Sequence, residues 1–166
     1  MAEEPKENEQ PEVPETTEPA PSKEASSIWE TLEPLVTEIG KWAWVIGIIN
    51  GLIYILVAVY WIALFGPVLV YIPSTLFEVI WNILGAVIAI FFSLVIVRPR
   101  FSNKCKNQDW DYLLNDVLML GNIRFPWMFI WAIILSIFGY GWGGAAVLFC
   151  AFVLVFMGPK PYQWTE

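Results

Sequence analysis

The sequence predicts an all-α membrane protein with two transmembrane helical hairpins, or about four membrane helices, plus interfacial amphipathic helices and a disordered acidic N-terminal tail. This prediction rests on the long uncharged apolar runs and on the positions of the basic residues. Hydrophobic residues make up 57% of the 166 positions, more than the roughly 45–50% of soluble domains. Residues 42–65 contain no charged side chain. At about 1.5 Å per residue, they can cross a hydrocarbon core of about 30 Å.

The basic residues predict an orientation. All nine fall on one side of the membrane if the apolar runs fold as two hairpins, and none lies at the hairpin tips near 66–75 and 139–144. Because Lys and Arg resist translocation, this bias predicts an integral, multi-pass membrane protein with both termini cytoplasmic. The sequence does not indicate which membrane. The basic residues are Lys6, Lys23, Lys41, Arg98, Arg100, Lys104, Lys106, Arg124 and Lys160.

The acidity of the chain belongs to its N-terminal part. Residues 1–41 hold eleven Glu and three Lys, a net charge of −8, whereas the whole chain carries −7. Residues 1–26 are predicted to form a disordered Glu/Pro-rich tail, because they lack the bulky apolar side chains that could offset chain entropy. We interpret this tail as a solvated spacer, and recruitment of a basic partner is the alternative.

An interfacial amphipathic helix is predicted over residues 27–41. Ser27 and Glu30 have the spacing of a capping box, in which each side chain satisfies a free backbone donor at the start of a helix. Apolar residues then recur at helical spacing up to Ile39. Pro34 marks a point where this helix could be interrupted.

The first transmembrane hairpin is predicted over residues 42–97. Its outer turn falls between Gly66 and Pro73, and its second helix, residues 76–97, stops at Arg98. Trp and Tyr residues lie near both expected membrane interfaces, where amphipathic rings are favoured.

A cytoplasmic linker with a second amphipathic helix is predicted over residues 98–124. Asp109 is the expected N-cap. The polar face of this helix is acidic, so apolar burial in the membrane interface or against the helical bundle must hold it in place. Its apolar face consists of Trp110, Leu113, Leu114, Val117 and Leu118.

The second hairpin, residues 125–158, is short for two membrane spans. Divided at residues 139–144, it has arms of about 14 to 16 residues, or roughly 21–24 Å of helix. Two alternatives remain open: a complete pair of spans in a thinned bilayer, or a wedge that enters and leaves from the cytoplasmic side. Residues 159–166 are predicted to be a C-terminal tail.

Two stripes of small and polar residues follow the first hairpin. Small residues allow close helix packing, which is the favoured interpretation, and the alternative is a polar pathway through the membrane. Thr75 and Glu78 have capping-box spacing, so Glu78 is expected to cap its helix, with a buried carboxylate as the alternative. The candidate residues are Gly47, Asn50 and Gly51 on the first helix and Glu78, Asn82 and Gly85 on the second.

The missing residue types argue against catalysis. The chain has no histidine and only two cysteines, so the commonest general base and the usual zinc ligands are absent, and no cofactor or metal is predicted. No basic patch suits nucleic acid.

Cys105 lies between two lysines near the membrane and is a candidate for acylation, although short basic linkers of this kind are usually topology signals. A disulfide with Cys150 is not expected, because the two thiols are predicted at different depths.

The favoured functional hypothesis is a small non-enzymatic membrane protein that acts by interaction, as an accessory subunit or as a membrane-organising or shaping protein. The expected partners are the lipid bilayer and either a second copy of the chain or another membrane protein. A short hairpin with surface helices resembles reticulon-type proteins in architecture, with no shared sequence motif. The alternative is an oligomeric transporter or channel with Glu78, Asn50 and Asn82 along its route.

Overall fold

The computed structural model describes residues 23–139 and 141–165, which are mostly helical. Most of the predicted disordered tail, residues 1–22, lies outside the described residues. The helices are α1 (Lys23–Phe65), α2 (Pro73–Phe92), α3 (Asn103–Lys106), α4 (Trp110–Asn115), α5 (Trp127–Ile137) and α6 (Trp142–Met157). The strands are β1 (Val117–Leu120) and β2 (Ile123–Pro126).

Helix α1 is one continuous helix of 43 residues. The sequence predicted a separate interfacial helix over 27–41, and this boundary is wrong, because neither Ser27 nor Pro34 interrupts the helix. A proline inside a helix removes a backbone donor and costs about 3 kcal/mol. Burial of Trp29 and Val36 on either side of Pro34 opposes this cost.

The first hairpin turns through a 3₁₀ segment, Gly66–Tyr71, into α2. The sequence predicted that the returning helix stops at Arg98, and this is wrong. The helix widens into a π-helical segment, Ser93–Ser102, and continues into α3. The Asn103 amide donates to the Arg98 carbonyl across the segment that contains Pro99. Wider i→i+5 hydrogen bonding is a known way for a helix to pass a local disruption.

Two helical stretches are long and apolar enough to cross a membrane. They cover Ile28–Tyr71 and Pro73–Lys106, with mean hydropathies of 2.4 and 2.6 over their most apolar windows. Helices α5 and α6 are apolar but have only 11 and 16 residues, or about 17 Å and 24 Å of helix. Within the part of the chain that it describes, the structure therefore contains two helices that could span a membrane, and not the four that the sequence predicted.

The fold is not entirely helical, because β1 and β2 form an antiparallel hairpin in the linker. Gly121 has a positive φ of 65° at the turn, a conformation that glycine adopts without a steric cost. Val117 and Leu118 lie on β1 and not, as predicted, on the face of an amphipathic helix. The predicted C-terminal tail returns to β2, where the Arg124 amide donates to the Trp164 carbonyl at 2.8 Å.

The hydrophobic core lies at one end of the first hairpin. The first half of α1, the π-helical segment, α3, α4, α5 and α6 all contribute to it. Among the described residues, this core includes no side chain between Ile46 and Phe92. These helical elements surround the core, whereas only α1 and α2 continue beyond it in the part of the chain that the structure describes. We call the two parts the base and the α1–α2 hairpin.

Candidate membrane-interaction site

The tip of the second hairpin reaches only part of the way along the first. A Cβ atom added to Gly143 would lie 3.0 Å from the Gly47 Cα, and one added to Gly139 would lie 3.6 Å from the Asn50 Nδ2. A Cβ atom on Gly85 would lie 3.2 Å from the Phe138 carbonyl oxygen. The tip is therefore held between α1 and α2, near the level of Asn50.

The first hairpin extends well beyond this level. Between Asn50 and Gly66, α1 continues for 16 residues, which is about 24 Å of helix. Most apolar side chains along this extension are exposed, including Leu56, Val59 and Ile80. The α1–α2 hairpin thus presents an apolar surface on every side that the other helix does not cover.

Cation–aromatic contacts mark the other end of this apolar surface. The Arg98 guanidinium lies 4.7 Å from the Trp44 ring centroid, and the Lys41 ammonium lies 5.4 Å from the Trp42 ring. Trp beside Lys or Arg is typical of a membrane–water interface. From Trp44 to Gly66 the helix spans 22 residues, about 33 Å, which matches a hydrocarbon core of about 30 Å.

Helix α6 carries an exposed aromatic stripe. Trp142, Phe149, Phe152 and Phe156 recur at helical spacing, and their exposed fractions range from 38% to 73%. Phe156 stacks on Phe152, with ring centroids 5.7 Å apart, and approaches Trp164 in the C-terminal segment at 6.1 Å. The stripe therefore runs from the tip of the second hairpin to the end of the base.

The small residues of both predicted stripes lie at helix contacts. A Cβ atom on Gly47 would overlap the Ser93 side chain, and one on Gly51 would lie 3.1 Å from the Ala86 carbonyl oxygen. Gly85 packs against the Tyr54 ring, 3.1 Å from an added Cβ. Close backbone approach of this kind is the usual role of glycine in helix pairs.

The polar candidates do not form a line through the hairpin. Asn50 is buried against the tip of the second hairpin, whereas Glu78 is exposed near the start of α2. Asn82 donates to the carbonyl of Glu78 within its own helix at 2.6 Å. The predicted capping box is wrong: α2 begins at Pro73, and no side chain caps it. Proline fixes a helical φ and needs no donor partner there, so a cap is not required.

The predicted linker helix packs on the base. Trp110 is 7% exposed, contacts Trp29 edge-on at 5.4 Å between centroids, and donates its indole N–H to Glu33 at 2.9 Å. Leu113 and Leu114 are also buried. The sequence left open whether this helix is buried in the membrane interface or against the helical bundle. In the structure, these three residues are buried against the bundle.

Asp109 caps α4, as predicted. Its Oδ1 accepts from the Tyr112 amide at 3.4 Å, and its Oδ2 accepts from the Lys104 ammonium at 2.7 Å. The hydrogen bond from Lys104 holds the pKa of the Asp109 carboxylate below its usual range. The carboxylate therefore stays ionised as cap and ion-pair partner at neutral pH.

The structure does not support Cys105 as an acylation site. Its side chain is 0% exposed, and a Cβ atom on Gly40 would lie 2.5 Å from its sulfur. An enzyme cannot reach a thiol that is packed beneath α1. The expectation of different depths for the two thiols is also wrong, because the Cys150 sulfur lies 3.6 Å from the same Cβ position. Both cysteines are free and buried.

The sequence reasoning missed the β-hairpin and the return of the C-terminal segment. Gly121-Asn122 between apolar residues is a recognisable turn signal.

The described residues contain no cluster of side chains that could hold a metal ion. No protein-family model, curated protein or solved structure matches this chain. A role for the protein must therefore come from its own geometry.

Proposed function

We propose that this chain is a non-enzymatic integral membrane protein that shapes the bilayer by inserting more volume into the cytoplasmic leaflet than into the outer one. The α1–α2 hairpin crosses the membrane, and the base lies at the cytoplasmic face with both termini. The observation that carries this proposal is the level of the second hairpin's tip, which meets α1 near Asn50.

The positions of Trp44 and Asn50 set the depth of the wedge. If Trp44 and Arg98 lie at the inner interface, the tip meets α1 at Asn50, six residues further in, or about 9 Å. It also meets α2 at Gly85, thirteen residues from Arg98, or about 20 Å. Half of the hydrocarbon core is about 15 Å thick. The second hairpin therefore ends near the middle of the membrane and short of the outer face, which favours the wedge over two thin spans.

The cross-section of the protein changes at this depth. Toward the outer face, only α1 and α2 displace lipid, whereas α5 and α6 add a second helical pair on the cytoplasmic side. Each helix with its side chains has a diameter of about 10 Å. An excess of this size in one leaflet expands the cytoplasmic surface, so the membrane is expected to bend with its convex side toward the cytoplasm.

The aromatic stripe supports insertion into lipid. A fully exposed Phe or Trp side chain in water forgoes about 1.5–3 kcal/mol of transfer free energy. Trp142, Phe149, Phe152 and Phe156 form one continuous apolar surface, larger than the isolated exposed residues that soluble proteins tolerate. On the placement above, Trp142 lies among the acyl chains. Phe149, Phe152 and Phe156 lie level with the part of α1 before Trp44 and would contact the headgroups of the cytoplasmic leaflet.

Transport receives less support from the geometry. Asn50 lies roughly two helical turns further from the 3₁₀ turn of the hairpin than Asn82 does. Glu78 is exposed and lies one turn closer to the 3₁₀ turn than Asn82. A shared route would need these side chains to face one another across subunits. Ion flux through reconstituted protein that is lost in Glu78→Gln would establish that alternative.

Thiol labelling in sealed vesicles of uniform orientation tests the depth of the wedge. We choose Trp142→Cys because Gly141 has a φ of 82° that disfavours any side chain. A membrane-impermeant maleimide is expected to label Trp142→Cys from neither side, and to label it fully once detergent is added. Labelling from outside would establish complete spans and contradict the wedge.

Two exposed positions calibrate this experiment. Ser74→Cys at the tip of the first hairpin should react only from outside, and Asn107→Cys in the linker only from the cytoplasmic side. All variants use a Cys105→Ala/Cys150→Ala background. Native Cys105 cannot serve as a cytoplasmic control, because it is buried.

Vesicle shape tests the function itself. Purified protein reconstituted at high density is expected to convert large unilamellar vesicles into narrow tubules, counted by electron microscopy. Phe152→Ser/Phe156→Ser makes the aromatic stripe polar and should reduce tubules several-fold. Val70→Ser, at an exposed position outside the wedge, should leave them unchanged. Unaltered vesicles with the unmodified protein would refute membrane shaping and favour an accessory subunit.

A further inference from the structure

We infer that Arg98, Arg100 and Lys106 form a binding surface for the anionic headgroups of phospholipids at the cytoplasmic interface. This inference uses the membrane position given above, but does not depend on the wedge or on membrane shaping. It begins from the partners of the basic residues that the structure describes.

Four of the described cations have a polar or acidic partner within the chain. Lys41 pairs with Glu38 at 3.1 Å, Lys104 with Asp109 at 2.7 Å and Lys160 with Asp111 at 3.1 Å. Arg124 donates to the Asn115 amide oxygen at 3.1 Å. In contrast, Arg98, Arg100 and Lys106 have no acidic partner among the described residues.

These three cations occupy exposed positions of one continuous helical stretch. In the π-helical segment and α3, the core-facing side chains are buried: Val97, Phe101, Ser102 and Cys105. Arg98, Arg100 and Lys106 are exposed, together with the uncharged Pro99, Asn103 and Asn107. No carboxylate occurs between Arg98 and Lys106. The exposed charged side chains of this stretch are therefore all basic, and we call this surface the cationic face.

The cationic face begins where the apolar surface ends. The contact between Arg98 and the Trp44 ring fixes this end of the face at the expected membrane interface. Lys106 lies eight residues further along the helix, or about 12 Å toward the cytoplasm. Phospholipid phosphates occupy this zone, and the planar arginine guanidinium matches a phosphate in a bidentate geometry.

The sources of fixed negative charge at this place are lipid headgroups and the acidic tail of the chain itself. Anionic cytoplasmic lipids attract basic residues next to a membrane helix. We favour the lipid because the face extends directly from the membrane boundary. Occupation by the tail is a distinct outcome of the experiment below.

Native mass spectrometry of the full chain in mild detergent provides the test. Short-chain phosphatidylserine is expected to bind at least tenfold more tightly than phosphatidylcholine, and the preference should weaken as ionic strength rises. Arg98→Gln/Arg100→Gln/Lys106→Gln should abolish the preference. The matched control, Lys41→Gln/Lys104→Gln/Lys160→Gln, removes the same charge from paired positions and should retain it.

Two further measurements separate the possible ligands. Glycerophosphoserine in solution should not compete at concentrations equal to those of the lipid, and full competition would show a free-phosphate site. A second variant replaces the seven Glu residues before residue 23 with Gln. Phosphatidylserine preference that appears only in this variant would show that the tail occupies the face. Full competition by glycerophosphoserine, a preference seen only in the tail variant, or equal binding of both lipids would each overturn the proposal. These outcomes are independent of the labelling of Trp142→Cys, which tests the wedge.

Discussion

Gly144→Val is expected to lower the free energy of unfolding by about 3 kcal/mol, at the upper end of the range for overpacked sites. A Cβ atom at Gly144 would lie 2.5 Å from the Ala132 carbonyl oxygen and 2.8 Å from the Ser136 amide nitrogen. Both atoms belong to the backbone of α5, which cannot move aside as a flexible side chain can. Helices α5 and α6 must therefore separate, and the core loses contacts on both.

Chemical denaturation in detergent micelles, followed by tryptophan fluorescence, measures this effect. Ala145→Val is the matched control, because it enlarges the neighbouring residue on the exposed side of α6. We expect this control to change the unfolding free energy by less than about 0.5 kcal/mol, as at other exposed positions. Equal stabilities of the two variants would contradict the close approach of α5 and α6.

Trp110→Ala is expected to cost about 3–5 kcal/mol, the range for removing a large buried aromatic side chain. The indole fills the space between α4 and the start of α1, where it contacts Trp29 at 5.4 Å. The substitution also leaves the Glu33 carboxylate without its 2.9 Å hydrogen bond. Because α4 has only six residues, it depends on this anchor more than on its own backbone hydrogen bonds.

Two variants isolate the contributions at this site. Trp110→Phe keeps an aromatic ring against Trp29 but removes the donor to Glu33, so its loss should be smaller than that of Trp110→Ala. Trp142→Ala removes a Trp that is 73% exposed and should change stability in detergent by less than about 0.5 kcal/mol. If Trp110→Ala were as mild as Trp142→Ala, α4 would not be anchored to α1 in this way.

Several features follow from local sequence. The apolar runs after Trp42 and Leu76 predicted long helices. Helix α1 contains the first run, and α2 with the π-helical segment contains the second. A run of about 20 apolar residues buries all its backbone polar groups only as a helix, so its conformation needs no distant contact. The capping role of Asp109 is equally local, because donor and acceptor lie three residues apart.

Other features depended on competition between local preference and packing. Pro34 predicted an interruption, but the buried side chains beside it keep α1 continuous. Val117 and Leu118 fit a helical face by spacing, yet they pair with Pro126 and Phe125 in the β-hairpin. The Gly121-Asn122 turn outweighs helical periodicity, since a tight turn with a positive φ fixes the register of both strands.

The sequence by itself determined the long apolar helices, the cap of α4 and the absence of common catalytic residue types. It left the second hairpin open between a span and a wedge, because charge and length are the same for both. Only the tertiary structure decided its level, through the contacts of Gly143 with Gly47 and of Gly139 with Asn50. Depth depends on which residues of distant helices meet, and hydropathy along one segment does not encode that pairing.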